Sequence, residues 1–134
     1  MLSVSYASAV ECLMYAMICI RPDIAQVVSV VSIYMGNPGR QHCEAIKWIL
    51  RYLNVTLDVG LVFKKSEDVG MLESYVDSDY VGDLDRRRST SGYIFLLGGG
   101  PISWKTTLQD IVALSTMEVE YIAVVEAAKE AIWL

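Results

Sequence analysis

Apolar residues recur every three or four positions at the start of the chain: Ala9, Val10, Leu13, Met14, Met17 and Ile18. That spacing predicts an amphipathic helix. Arg21-Pro22-Asp23 breaks the run, and Pro22 suits the opening turn of a second helix carrying Ile24, Val27, Val28 and Val31. Asn37-Pro38-Gly39 predicts a turn. A third helix is expected from about Gln41, with Ile46, Ile49, Leu50 and Leu53 on one face. From Leu57 the pattern shortens toward that of strands. Val59 to Phe63 reads as a strand, Lys64 to Asp68 as a polar linker, and the run from Leu72 to Asp77 as a further strand. Gly92 to Leu97 and Pro101 to Lys105 read as two arms of a hairpin, with Gly98-Gly99-Gly100 as its turn. After Leu114 the helical period returns, and Ser115 followed by Glu118 is a capping box that starts a helix running to the end. The predicted class is α/β (α+β): helices first, then a three-stranded antiparallel meander that receives a helix on one face. No internal repeat is visible.

Two carboxylates stand out in this pattern. Successive strand residues point to opposite faces, so Asp77 and Asp79 are expected to leave on the same side. On the final helix Glu120 follows Met117 by three residues and precedes Ala123, Val124 and Ala127 at helical spacing, which places it within an apolar stripe. A carboxylate there is costly unless something compensates it. Glu118 is explained as a cap, and Glu126 and Glu130 beside Lys129 as solvated charges. Glu120 has no such explanation.

Composition narrows the field. The chain has 134 residues, 54% hydrophobic and 20% charged, which argues for a folded chain. The apolar run from Cys12 to Ile20 is shorter than the roughly 18 residues of a membrane span, and no basic residue precedes it as a secretory signal requires. An intracellular, cytoplasmic location with no membrane segment is therefore expected. Asn54-Val55-Thr56 is then a coincidental sequon. Cys12, Cys19 and Cys43 are odd in number and lack CxxC spacing, which reads as reduced thiols packed in helices. His42 has no partner at ligand spacing and reads as a surface helix residue, and Trp48 and Tyr52, four apart, as a packing pair. A net charge of −5 argues against wholesale nucleic-acid binding. The local exception is Arg86-Arg87-Arg88, either a solvated loop or a phosphate contact.

Longer motifs add a resemblance. Tyr6-Ala7-Ser8-Ala9-Val10, Leu13-Met14-Tyr15-Ala16, Arg21-Pro22-Asp23-Ile24-Ala25, Asn37-Pro38-Gly39 and the run from Lys47 to Leu53 resemble the C-terminal end of the reverse-transcriptase region in the Pol polyprotein of copia-type LTR retrotransposons. Tyr75 to Asp79, Gly82-Asp83, Arg88 to Tyr93, Ile102 to Lys105, Val112 to Thr116, Glu118, Glu120-Tyr121 and Glu126 to Leu134 resemble the opening of that family's ribonuclease H domain. The resemblance covers the chain end to end. It implies a helical, connection-like region over 1–66 and a truncated, ribonuclease H-like domain over 67–134.

The resemblance also implies a chemistry. Ribonuclease H enzymes cut the RNA strand of an RNA–DNA hybrid, with acidic side chains holding two Mg²⁺ ions that activate water and stabilise the leaving oxygen. Asp77 matches the first-strand aspartate and Glu120 the glutamate of the first helix, which makes this pair the expected catalytic and metal ligands. Asp79 is a further metal candidate. Arg86, Arg87, Arg88 and Lys105 are candidates for hybrid contact, and the rest of the Pol polyprotein is the implied partner. Two further family carboxylates belong beyond the first helix, after Leu134, so the chain alone is expected to be inactive. Cys43, Tyr80, Val119 and Asn54-Val55 depart from the usual family residues without touching Asp77 or Glu120. A degenerate transposon remnant without chemistry, or a non-catalytic interaction fragment, are the competing expectations.

Overall fold

The computed structural model describes residues 3–65, 67 and 70–134. The chain divides into two compact units, Met1–Leu61 and Val62–Leu134.

The first unit is helical. It contains α1 (Tyr6–Cys19), a single 3₁₀ turn (Pro22–Ile24), α2 (Ala25–Ser32) and α3 (Arg40–Val55). Ser5 caps α1, its hydroxyl accepting the Ser8 N–H at 3.2 Å. The core is the cluster of Val10, Leu13, Ile24, Val28, Val31, Ile46 and Ile49. Each comes from a stripe that the hydrophobic period marks. Ile18, Val27 and Leu50, expected on the same faces, are instead exposed. These helices carry apolar residues around most of their girth, and in so small a unit each can bury only one narrow stripe.

Polar contacts fix the ends of these helices. Arg21 is buried, and its guanidinium donates to both Asp23 carboxylate oxygens, to the Thr56 carbonyl at 3.0 Å and to the Thr56 hydroxyl at 2.8 Å. Tyr52 donates its hydroxyl to the same carboxylate at 2.8 Å. A buried cation needs this many partners, and the set ties the C-terminal end of α3 to the α1–α2 connection. Tyr52 is thereby tied to Asp23 and Arg21, and Trp48 is exposed under the Arg51 guanidinium, 5.1 Å from its ring centroid. His42 is not a bland surface residue: its Nδ1 accepts the Gly39 N–H at 2.8 Å at the start of α3, and its ring stacks on Tyr34 at 3.9 Å. All three cysteines are free thiols, and all are exposed, contrary to the expectation that they pack inside. On α1 and α3 the positions they occupy lie off the buried stripe.

The second unit has β1 (Leu72–Asp83), β2 (Arg88–Leu97), β3 (Gly100–Leu108) and α4 (Thr116–Trp133). The strands form an antiparallel sheet in the order β1-β2-β3 and α4 packs against β1 and β2, so the mixed α/β meander-plus-helix is present as the pattern predicts. Val59–Phe63 is not a strand. Val59, Val62 and Phe63 are exposed, and Gly60 interrupts a run too short to pair. The expected linker 64–68 lies partly outside the described residues. The β2–β3 turn uses Gly98 (φ +58°) and Gly99 (φ +79°), two consecutive left-handed residues, while Gly100 already pairs with Leu97 as the first residue of β3. Glycine is required at such a two-residue turn because a Cβ is penalised there twice. Ser115 caps α4 by accepting the Glu118 N–H at 3.2 Å. The Glu118 carboxylate reaches back one residue further than a capping box requires, to the Leu114 N–H at 2.8 Å. No helix among the described residues is long and apolar enough to cross a membrane.

Candidate functional site

The register of the sheet decides where each candidate acid points. β1 pairs with β2 without a slip from Leu72↔Leu97 to Asp79↔Thr90, and β2 with β3 from Thr90↔Leu108 to Phe95↔Ser103. Directly paired residues share a face. The face beneath α4 is marked by hydrogen bonds: the Ser103 hydroxyl donates to Glu130 Oε1 at 2.8 Å, and buried Gln109 donates from Nε2 to Ser91 Oγ at 2.7 Å and to the Val119 carbonyl at 3.1 Å. Ser91, Tyr93 and Phe95, with Val76 and Ser78 of β1, therefore lie under the helix. Asp77, paired with Gly92, and Asp79, paired with Thr90, lie together on the far face. They do leave on one side, as strand alternation requires, but that side is turned away from α4.

The helix is phased differently from the sequence expectation. Its buried residues are Val119, Ala123 and Ala127, with Phe95 and Ala113 completing the core of this unit. Glu126, Lys129, Glu130 and Trp133 fall on the flank above β3, where they line a cleft of about 320 Å³ with Tyr93 and Lys105. Glu120 falls on the opposite flank, on the β1 side, and is exposed, as are Met117 and Val124. The apolar stripe is thus centred one residue before Glu120. Because Met117, Tyr121 and Val124 spread apolar character around the helix, the period alone could not select the packed face.

Several side chains gain roles that the sequence pattern did not assign. Glu130 is not a merely solvated charge, since it is held by Ser103. Burial pushes the Tyr93 hydroxyl above its ordinary pKa, and the nearby Glu130 and Glu126 carboxylates add to the shift, so it stays protonated as a donor in the cleft. Gln109, Ser89 and Ser91 are buried. A pattern of hydrophobicity cannot find them, because each is polar and becomes interior only when sheet and helix meet. The β1 bulge between Asp79 and Asp83 contains Val81 at φ +54°, whose N–H is taken by the Ser89 hydroxyl at 3.0 Å. At Gly82 a Cβ would come within 2.9 Å of Asp79 Oδ2, so a larger residue there would shift the Asp79 side chain. Buried Asp83 organises the following turn, its Oδ1 accepting the Asp85 and Arg86 N–H groups at 3.1 and 3.3 Å.

The candidate cations are likewise dispersed. Arg86 and Arg87 are exposed in the β1–β2 turn, Arg88 opens β2, and Lys105 stands in the wall of the cleft beneath α4. Two divalent cations would need three or more acidic side chains converging on one point. Asp77 and Asp79 leave from the far face, and Glu120 from the helix over the near face. Among the described residues no group of three or more His, Cys, Asp or Glu side chains could hold a metal ion. The residues present do not fit a two-cation centre in this structure.

Comparison with known proteins supplies what geometry does not. No family model matches the chain, and no solved structure matches it. The retrovirus-related Pol polyprotein from transposon TNT 1-94 of Nicotiana tabacum is 54% identical over all 134 residues, which make up 10% of that polyprotein. The corresponding polyprotein from transposon RE2 of Arabidopsis thaliana is 41% identical over 114 residues, 85% of this chain and 8% of the polyprotein. The chain thus spans about a tenth of the length of these polyproteins. A protein of Plasmopara viticola named secreted RxLR effector protein 161 is 46% identical over the whole chain and 94% of its own length. Identity of this extent is a matter of common descent: the chain is homologous to a segment of retrovirus-related Pol polyproteins from plant transposons.

Proposed function

We propose that the chain is the junction segment of a copia-type Pol polyprotein: its helical unit the C-terminal end of the reverse-transcriptase region, its second unit the opening strands and first helix of a ribonuclease H domain. In this reading the longer parent cleaves the RNA strand of RNA–DNA hybrids with two Mg²⁺ ions, and the chain on its own does not. The observation that carries it is the order of three antiparallel strands and then a helix, with Asp77 on β1 and Glu120 in the second turn of α4, the positions at which the resemblance expects its acids. The far-face placement of Asp77 supports the absence of cleavage by the isolated chain. Arg86 and Arg87 at the exposed turn, with half-buried Arg88 at the start of β2, are the cations best placed for weak hybrid contact in the parent.

The test is incubation of a labelled RNA–DNA hybrid with the purified chain and Mg²⁺ or Mn²⁺. No cleavage is expected. Robust cleavage abolished by both Asp77→Asn and Glu120→Gln overturns the reading.

A second reading rests on the Plasmopara viticola relative, which this chain matches over 94% of its length. That relative is named as a secreted effector, and under this reading the chain acts as a non-catalytic interaction protein. Retention of a cooperative fold with no hybrid affinity in fluorescence anisotropy favours this second reading; salt-dependent hybrid affinity lost on replacing Arg86, Arg87 and Arg88 by Ala favours the first.

A further inference from the structure

The turn between β1 and β2, residues 84–87, is closed at its base by the pair Asp83↔Arg88 and, beyond the bulge, by Asp79↔Thr90. Arg87 takes left-handed backbone at φ +54°. Glycine or asparagine holds that conformation at lower cost, so the backbone does not explain an arginine there. Its side chain is exposed, as is that of Arg86, and neither is in an ion pair among the described residues. Asp83, at the base of the turn, is buried instead. Its Oδ1 accepts the Asp85 and Arg86 N–H groups at 3.1 and 3.3 Å, while its Oδ2 has no hydrogen-bond partner among the described residues. One acceptor oxygen therefore ties down the backbone that carries Arg86. By charge alone, a carboxylate in this place opposes any phosphate contact made by the arginines.

We propose that Asp83 is a positioning residue: through Oδ1 it fixes the shape of the β1–β2 turn, and the turn so held presents Arg86 and Arg87 to the phosphates of an RNA–DNA hybrid. The choice of ligand rests on the ribonuclease H reading given above, and the role of Asp83 is what is added to it. Guanidinium groups match phosphate oxygens in a two-pronged geometry, which rewards a fixed direction of approach. A turn already ordered by a buried acceptor does not have to be ordered on contact. Arg88 is half-buried at the start of β2 and stands closer to the sheet, so Arg86 and Arg87 carry the contact.

The experiment is fluorescence anisotropy of a labelled RNA–DNA hybrid titrated with the full chain at low salt. Arg86→Ala/Arg87→Ala is expected to lose about tenfold in affinity and to lower the slope of log affinity against log salt by about two. Asp83→Ala is expected to weaken binding about threefold although it removes a negative charge. Asp83→Asn keeps the acceptor and should bind at least as tightly as the native chain. In the Arg86→Ala/Arg87→Ala background, Asp83→Ala should weaken binding no further. Arg87→Gly should weaken binding while raising the melting temperature, since it relieves the left-handed backbone. In the unliganded native chain the Asp85 and Arg86 amides should be protected from hydrogen exchange, a measurement that does not depend on how any variant folds. Tighter or unchanged binding by Asp83→Ala, failure of Asp83→Asn to bind like the native chain, or unprotected Asp85 and Arg86 amides overturns the role of Asp83 and leaves the hybrid reading standing. A native chain with no salt-dependent hybrid affinity removes the hybrid reading and the positioning role together.

Discussion

Arg21 holds Asp23 in a two-pronged ion pair, Nε to Oδ1 at 2.9 Å and Nη2 to Oδ2 at 2.7 Å, across only one intervening residue. The pair closes the first unit, because the same guanidinium bonds Thr56 at the end of α3. The Arg21 hydrogen bonds hold the Asp23 carboxyl at a pKa of about 2, against burial, with Tyr52 assisting. A lowered folded-state value favours the fold above the ordinary carboxylate pKa and is lost as pH falls through the folded value. The first unit is expected to keep its full stability at pH 5 and above and to lose about 1 kcal/mol between pH 4 and pH 2, after allowance for solvent screening at this partly exposed group. Urea unfolding monitored across that range checks it, and the loss should vanish in Asp23→Asn.

Asp23→Ala leaves a buried guanidinium without its charge partner while the Thr56 bonds remain. A cost of about 3 kcal/mol to the first unit is expected. Thermal unfolding by circular dichroism measures it, and a shift no larger than that of an exposed substitution would show that the pair is incidental.

Gln109 is fully buried and joins β2 to α4 through Ser91 and Val119, but its own Oε1 has no partner. Gln109→Ala opens a cavity and removes the donor to the buried Ser91 hydroxyl and a second donor to the Val119 carbonyl, for an expected loss of about 2–4 kcal/mol. Gln109→Leu refills the space and removes an unpaired acceptor, so it should cost less than the alanine change. Equal costs for the two, in denaturant melts of the second unit, would remove the volume argument.

Tyr93 is raised in pKa chiefly by burial and then by Glu130 and Glu126. The neutral phenol is therefore favoured in the fold, and its stabilisation is complete below about pH 10, the ordinary tyrosine value, and declines as pH rises beyond it. Alkaline unfolding of the second unit should begin at lower pH in the native chain than in Tyr93→Phe, with absorbance near the phenolate band reporting the titration.

Asp77→Asn and Glu120→Gln alter exposed side chains that, among the described residues, have no partner beyond the Asp77 contact to the next N–H at 2.9 Å. Each is expected to change stability by less than about 0.5 kcal/mol. A larger stabilisation from either change would reveal charge repulsion between acids closer together than the register allows.

Much of the architecture was legible in the chain. The two helices before Asn37-Pro38-Gly39 and the one after it, the hairpin closed by Gly98-Gly99 and the Ser115 cap are each written in short-range signals, and each is present. The errors are of one kind. Val59–Phe63 has strand-like residues but no partner to pair with, and Ile18, Val27, Leu50 and Val124 have apolar side chains but no surface to bury against.

The sequence by itself determined the helices and the three paired strands, though not that Val59–Phe63 would stay unpaired, because period, caps and turn glycines act within a few residues of one another. It also determined the kinship, which is carried by motifs and needs no coordinates. Only the tertiary structure decided which way the acids look. A strand residue can face either side of a sheet, and a helix with apolar residues around most of its circumference can turn any of several faces inward. The Phe95, Val119, Ala123 and Ala127 contacts chose one face, and with it they sent Asp77 and Glu120 apart. Side-chain direction is set by long-range packing, where one added residue in register reverses the outcome, and no local signal encodes it.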